Sequence, residues 1–122
     1  MSGGALEYVS CRIEDAAEAI REWVRERREN KPNEFGYAYD WTPHPYYTAK
    51  HPDVSYIQTA EALKTKTLDL MEATAKNLEL AAKMAHEAEW MMSGDTGPET
   101  FCMECEKAVL DWMEKGKTEE ET

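Results

Sequence analysis

The sequence has few cysteines and no long apolar run. Its 122 residues include three cysteines, an odd number that suits a reducing compartment better than a disulfide scaffold. No stretch without charge approaches the roughly 20 apolar residues that cross a bilayer. The first residues also lack the basic and apolar regions of a signal peptide. We therefore expect a cytoplasmic protein with no membrane among its partners.

Basic residues are also scarce. The chain has 14 lysines and arginines against 25 aspartates and glutamates, so its formal net charge is −11. A chain this acidic is repelled by nucleic-acid backbones and anionic membranes and attracted by basic surfaces. The one basic cluster, residues 25–31, is interleaved with Glu26 and Glu29 and falls at a predicted helix end, where cations are expected. The charge argues against polymeric nucleic acid and favours a protein partner with a basic surface.

Apolar periodicity predicts an all-α or nearly all-α fold with three principal helices, at about 11–29, 56–93 and 98–115. With 42% apolar and 32% charged residues, the chain has a globular composition and is long enough to bury a core. We expect a single helical domain over residues 1–116 and a disordered acidic tail over residues 117–122.

Capping signals give these helices their expected ends. Ser10 is the expected N-cap of the first helix, and Ser55 and Gln58 match a capping box at the start of the second. The range Thr96–Glu99 gives a second capping box, with a proline in the first turn, where proline is tolerated. Gly94 should end the second helix and Gly116 the third.

The middle helix is long enough to need a partner. It would extend about 57 Å at 1.5 Å per residue, as the central element of a helical bundle or hairpin. One register recurs every seven residues: Leu63, Leu70, Asn77, Met84 and Met91. The other helices of the chain could cover this seam, or a second copy could pair along it. We expect a homodimer through this helix.

Residues 32–54 lie between the helices, and four prolines indicate a non-helical segment. Seven of the twelve aromatic residues fall between Phe35 and Tyr56. Four of them alternate with other residues: Phe35, Tyr37, Tyr39 and Trp41. An extended chain would place these four rings on one side, in one short strand paired with Leu6–Val9 as a β-hairpin. The rings would then either cover the core or form a recognition surface.

Cys102 and Cys105 have a Cys-x-x-Cys spacing at the start of the last helix. A redox pair needs a stabilised thiolate, and the flanking glutamates oppose one. The two cysteines could be half of a zinc site, with His44 and His51 as the other ligands, or two core thiols. Zinc is therefore the one cofactor for which the sequence offers ligands, and we otherwise expect none.

The sequence contains no glycine-rich phosphate loop, metalloprotease motif or nucleophile elbow, so we expect no enzyme. The function expected is that of a non-catalytic interaction protein, inhibitor-like and nucleic-acid-mimicking, that binds or blocks a basic surface of a protein partner. Its acidic face would comprise Glu99, Glu104, Glu106, Asp111 and Glu114, and its anchors would be the four alternating rings. The alternatives are a small-molecule or nucleotide binding protein with a pocket at the aromatic segment, and a zinc-stapled adaptor using Cys102 and Cys105.

Overall fold

The computed structural model describes residues 6–121, with side chains over residues 6–114. This part of the chain forms four α-helices and one short 3₁₀ helix, Ser55–Ile57. The α-helices are α1 (Val9–Arg28), α2 (Pro45–Lys50), α3 (Ala60–Met92) and α4 (Pro98–Glu121). No strand occurs among residues 6–121, which confirms the all-α prediction. Over the same range, none of the helices has the length and apolarity needed to cross a bilayer.

The described chain divides into two compact units. Unit 1 combines residues 6–18 with residues 75–121, and unit 2 consists of residues 19–74. The first half of α1, the second half of α3 and all of α4 therefore belong to unit 1. The aromatic segment and α2 belong to unit 2. The single domain expected from chain length stays a prediction.

The start of α1 differs from the sequence prediction. The helix begins at Val9, so Ser10 is not its N-cap but a buried residue of the first turn, 4% exposed. Leu6 and Tyr8, expected in a strand, instead form a turn in which both backbone N–H groups donate to a carboxylate oxygen of Glu89, each at 2.8 Å. The strand prediction is wrong because this buried carboxylate takes the N–H groups that a strand partner would have used.

The start of α3 also lies later than predicted. Ser55 opens the 3₁₀ helix, and α3 begins at Ala60, where the hydroxyl of Thr59 accepts a hydrogen bond from the N–H of Ala62 at 3.1 Å. The predicted capping box is wrong because the Gln58 side chain faces the preceding segment. Its amide donates to three carbonyl oxygens there, and the shortest of these hydrogen bonds is 2.8 Å, to His51.

From Ala60, α3 continues without a break for 33 residues. It ends as predicted before Gly94, whose φ of +83° is the left-handed conformation that glycine adopts most readily. The deeply buried positions of α3 also recur every seven residues, but each lies two residues before a position of the predicted seam. They are Leu68, Ala75, Ala82 and Glu89. Leu70 and Asn77 of the predicted seam are exposed. Small residues in the buried register permit close helix approach.

The last helix, α4, starts where predicted but does not stop at Gly116. Its backbone is helical to Glu121, so most of the predicted disordered tail is helix, and residue 122 lies outside the described residues. A glycine inside a helix costs only about 1 kcal/mol relative to alanine, and the lysines and glutamates around it are good helix formers. The predicted capping box does not form, because the hydroxyl of Thr96 is buried without a hydrogen-bond partner.

The segment of residues 32–54 was predicted to be non-helical, and this is wrong for α2. Pro45 occupies the first turn of α2, where its missing N–H is not needed. The ring of His44 provides the N-cap, because its Nδ1 accepts a hydrogen bond from the N–H of Tyr46 at 3.1 Å. Proline therefore starts this helix instead of preventing it.

Candidate functional site

The strongest candidate site begins with a closed loop at residues 33–37 in unit 2. Two backbone hydrogen bonds close it, from the N–H of Asn33 to the carbonyl of Tyr37 and from the N–H of Gly36 to the carbonyl of Asn33, both at 2.9 Å. The side-chain oxygen of Asn33 accepts two more, from the N–H groups of Phe35 at 2.9 Å and Tyr37 at 3.0 Å. Gly36 provides the left-handed turn with a φ of +83°. The loop is therefore fixed by its own backbone and by one asparagine.

This loop separates the four alternating rings into two pairs. Phe35 and Tyr37 are 75% and 72% exposed. Tyr39 and Trp41 instead pack on Trp23 of α1, with ring centroids 5.4 Å and 6.4 Å from it. The prediction of one continuous ridge is wrong, because the turn at Gly36 breaks the extended backbone on which the alternation depends. One pair packs against a helix, although Tyr39 remains 52% exposed, and the other pair lies in the open.

A cation completes the packed pair. The guanidinium of Arg27 lies 4.3 Å from the ring centre of Trp23 and 5.8 Å from that of Tyr39. Its Nε is buried and has no hydrogen-bond partner. Cation–π contacts of this kind are stronger when the cation is shielded from water. The cation that contacts these two rings is therefore Arg27 of the same chain.

Asp40 fixes the backbone between the two packed rings. Its carboxylate accepts a hydrogen bond from the N–H of Thr42 at 2.9 Å. Hydrogen bonds from the side chain and the backbone of Thr42 lower the pKa of Asp40 below its usual value. The turn therefore carries an ionised aspartate at neutral pH.

Further exposed rings lie on α2 and on the 3₁₀ helix. Tyr46 and Tyr47 pack edge to face at 5.4 Å, yet both remain more than half exposed. Tyr56 is also exposed, on the 3₁₀ helix. Unit 2 thus presents six exposed aromatic residues, which we call the aromatic surface: Phe35, Tyr37, Tyr39, Tyr46, Tyr47 and Tyr56. Only the first three were predicted as site residues. The prolines indicated no helix in this segment, so the exposed rings of α2 and the 3₁₀ helix were not predicted.

The basic residues near the aromatic surface are engaged within the chain. Arg28 forms ion pairs with Asp69 at 3.1 Å and Glu72 at 2.9 Å, and the hydrogen bond to Glu72 is the main cause of its raised pKa. Lys50 and Lys66 lie over the rings of Tyr46 and Tyr56. Bases held in this way are poorly placed to bind the phosphates of a nucleic acid.

The predicted acidic face lies on α4 in unit 1. Four of its five residues are exposed: Glu99, Glu106, Asp111 and Glu114. Glu104 is half-buried and faces α3, where its carboxylate lies 4.0 Å from the ammonium of Lys83. By sequence, unit 1 holds 16 acidic and six basic residues, whereas unit 2 holds nine and eight. Nearly all of the net charge therefore belongs to unit 1.

The cysteine pair is divided between core and surface. Cys105 is buried and Cys102 is exposed. Burial raises the pKa of the Cys105 thiol, and the charge of Glu87 raises it further. The prediction of two core thiols holds only for Cys105.

The proposed zinc ligands belong to different units, with Cys102 and Cys105 in unit 1 and His44 and His51 in unit 2. Among residues 6–114, no group of three or more histidine, cysteine, aspartate or glutamate side chains is arranged to hold a metal ion. His44 is occupied as the cap of α2, and the carbonyl of His51 accepts from Gln58. The structure thus gives the zinc-stapled adaptor no support.

Sequence reasoning missed the residues that support the site. Asn33 was overlooked, although asparagine at the first and glycine at the fourth position, here Asn33 and Gly36, are typical of a β-turn. The sequence marks Arg27 only as part of the basic cluster at a predicted helix end, and only the fold shows that Arg27 and Trp23 meet Tyr39. Comparisons with protein-family models, curated proteins and solved structures find no match for this chain.

Proposed function

We propose that this protein is non-catalytic and binds a protein partner through the aromatic surface, with its acidity selecting a partner that is basic. The observation that carries the proposal is the display of Phe35 and Tyr37, 75% and 72% exposed, on a loop that Asn33 fixes. Exposed rings are costly in water, and a fixed loop has already lost the entropy that binding would otherwise take from it. Rigid aromatic side chains are the usual anchors of protein interfaces.

The composition of this surface also favours a protein partner. Tyrosine provides a large contact area with few rotatable bonds and a hydroxyl for hydrogen bonding, which is why it dominates many binding surfaces. Five of the six residues of the aromatic surface are tyrosines. The neighbouring bases are engaged within the chain, so stacking on a polyanion is disfavoured.

The net charge of −11 would act at longer range. Complementary charge accelerates encounter with a basic partner and repels acidic competitors, while packed anchors set the lifetime of the complex. A protein that occupies a basic surface in this way blocks whatever else that surface binds. This is the sense in which we propose an inhibitor-like role.

Photo-crosslinking tests the proposal. A photoreactive phenylalanine analogue is placed at position 35 or 37, and at the exposed Ala19 of α1 as a control. Cells that express the protein are irradiated, and the crosslinked proteins are identified by mass spectrometry. We expect one basic protein to be recovered from positions 35 and 37 and not from position 19.

The recovered partner is then purified, and its affinity is measured by calorimetry. Phe35→Ser and Tyr37→Ser should each weaken binding by about 2 kcal/mol, roughly 30-fold, because each removes an interface anchor. Circular dichroism should show unchanged helicity, since both rings are exposed. Equal recovery of the partner from position 19, or unchanged affinity in both variants, would show that Phe35 and Tyr37 do not form the binding site.

We also propose that the chain forms a homodimer through α3. Four consecutive seam positions are exposed at spacings of four, three and four residues: Leu70, Thr74, Asn77 and Ala81. This spacing is that of a helix–helix seam with small residues that allow close approach. Sedimentation velocity should show a dimer that Ala81→Lys converts to a monomer with the same helicity. A wild-type monomer at all concentrations would contradict it.

A further inference from the structure

The outward face of α4 carries large apolar side chains that remain exposed. Met103 is 69% exposed, Leu110 59% and Met113 50%. Spacings of seven and three residues put them on one side of the helix. At about 100° per residue, they share an arc of roughly 100° with Glu99, Glu106 and Glu114. We call these six residues the α4 stripe.

The opposite side of α4 provides its packing within unit 1. Cys105 is buried there, and Glu104 approaches Lys83 of α3 at 4.0 Å. The ring of Trp112 lies beneath the ammonium of Lys76 of α3, 5.7 Å from it. Cys105 and Trp112 lie about 130° and 150° from the middle of the α4 stripe at the same angle per residue. The helix therefore packs by one side and presents the other.

The chemistry of the α4 stripe points to one kind of partner. Residues 98–114 contain five acidic residues and a single base, Lys107. Methionine side chains are flexible and polarisable, which suits them to surfaces that receive apolar side chains of varied shape. From Met103 to Met113 the stripe rises about 15 Å, or three helical turns. Glu99 and Glu106 lie among the apolar residues of the stripe, and Glu114 lies at one edge. Such a surface matches three turns of another helix that presents both apolar residues and lysine or arginine.

We propose that the α4 stripe binds a basic amphipathic helix of a protein partner. This surface is separate from the aromatic surface, so the inference does not depend on the site proposed there. Apolar side chains of the partner helix cover Met103, Leu110 and Met113, while its cations pair with the glutamates of the α4 stripe. Removing the three side chains from water provides most of the affinity, and the charges select the partner.

Charge argues against a second copy of the chain as the occupant. Two α4 stripes placed face to face would oppose glutamates with glutamates, which is unfavourable. The basic end of α1 is also an unsuitable partner for the stripe, because Arg25 pairs with Glu22 at 3.0 Å and Arg28 with Asp69 and Glu72. The complementary charge must therefore come from a different protein.

The test uses two synthetic peptides of about 18 residues, made of leucine and lysine. One places leucine at helical spacing along one face, and the other has the same composition in scrambled order. Fluorescence anisotropy of labelled peptide measures binding to the full chain. We expect the amphipathic peptide to bind at least about ten-fold more tightly than the scrambled one, with an affinity that falls as salt rises.

Variants locate the binding surface. Met103→Ser combined with Leu110→Ser should weaken the amphipathic peptide by about ten-fold or more, because it removes two of the three apolar contacts. Met92→Ser, which changes an apolar residue of α3 with similar exposure at 59%, should leave it unchanged. Phe35→Ser should also have no effect. All these side chains are exposed, so the helicity should stay that of the wild type.

Other results would overturn the proposal. Equal binding of the two peptides would show simple charge attraction to an acidic protein. Loss of binding in Phe35→Ser alone would place the peptide on the aromatic surface. A dimer in sedimentation velocity that Leu110→Ser dissociates would identify a second copy as the occupant of the α4 stripe.

Discussion

The buried carboxylate of Glu89 holds the chain that leads into α1, and its removal should destabilise the protein measurably. Glu89 is 1% exposed, and one of its oxygens accepts the N–H groups of Leu6 and Tyr8. Glu7 and Tyr8 have φ values of 53° and 58°. In this turn the N–H groups of Leu6 and Tyr8, two residues apart, converge on one carboxylate oxygen. Glu89 provides the anion from within the chain.

The expected magnitude follows from opposing contributions. Two hydrogen bonds to a charged group contribute about 1.5–3 kcal/mol each. Their loss is offset in part because a buried charge, whose second oxygen has no partner, is no longer desolvated. We expect Glu89→Ala to cost about 2 kcal/mol, which lowers Tm by about 8 °C for a chain of this length. Glu89→Gln, which keeps the shape and one acceptor, should cost about half as much.

Urea denaturation followed by circular dichroism measures the free energy of unfolding, and amide hydrogen exchange locates the change. The amides of Leu6 and Tyr8 should exchange about five-fold faster in Glu89→Gln, since loss of about 1 kcal/mol corresponds to that factor. Glu61→Gln, at an exposed position in the first turn of α3, is the control and should change neither measurement. A Glu89→Gln variant as stable as the wild type, with the same exchange at both amides, would refute this reasoning.

Three further predictions concern the cysteines, the loop and an ion pair. Burial raises the pKa of Cys105, so less of its thiolate is present at a given pH. Iodoacetamide near pH 8 should therefore alkylate the exposed Cys102 well before Cys105, and equal rates by peptide mass spectrometry would contradict this. Asn33→Ala removes an acceptor of two N–H groups and should cost about 1 kcal/mol, with faster amide exchange at Phe35; unchanged exchange there would mean that Asn33 does not fix the loop. Arg28→Ala should lower the free energy of unfolding in urea by less than about 1 kcal/mol at low salt and by still less at high salt, because its ion pairs with α3 are solvent-exposed. A larger loss that does not depend on salt would indicate that Arg28 acts through packing.

The three long helices could be predicted from the sequence because their apolar periodicity is strong, but the first residues of α1 and α3 could not. Ser10 and Ser55 have the chemistry of N-caps, yet neither acts as one. In α1 the N–H groups before the helix go to Glu89, more than 80 residues away in the chain. In α3 the cap is Thr59, because Gln58 bonds to the preceding segment. Helix ends depend on distant partners that a local pattern does not contain.

The sequence showed that this segment is rich in aromatic residues, but it did not show how the backbone arranges them. Alternation predicts one face only if the backbone is extended throughout. A single left-handed glycine, Gly36, and the side chain of Asn33 turn the chain and send the first two rings outward. The other pair turns toward α1, where Trp23 provides an aromatic neighbour. A turn signal within an alternating run therefore carries as much information as the alternation itself.

The distribution of charge explains why one acidic chain can present two chemically different surfaces. The aromatic surface lies in unit 2, where acids and bases nearly cancel, so close apolar contact there meets little net local repulsion. The α4 stripe lies in unit 1, where acids outnumber bases by ten, so a partner must bring cations before its apolar residues can be covered. Salt should therefore weaken partner binding at the two surfaces unequally. Screening reduces the attraction between charges more than it reduces the contribution of buried apolar area.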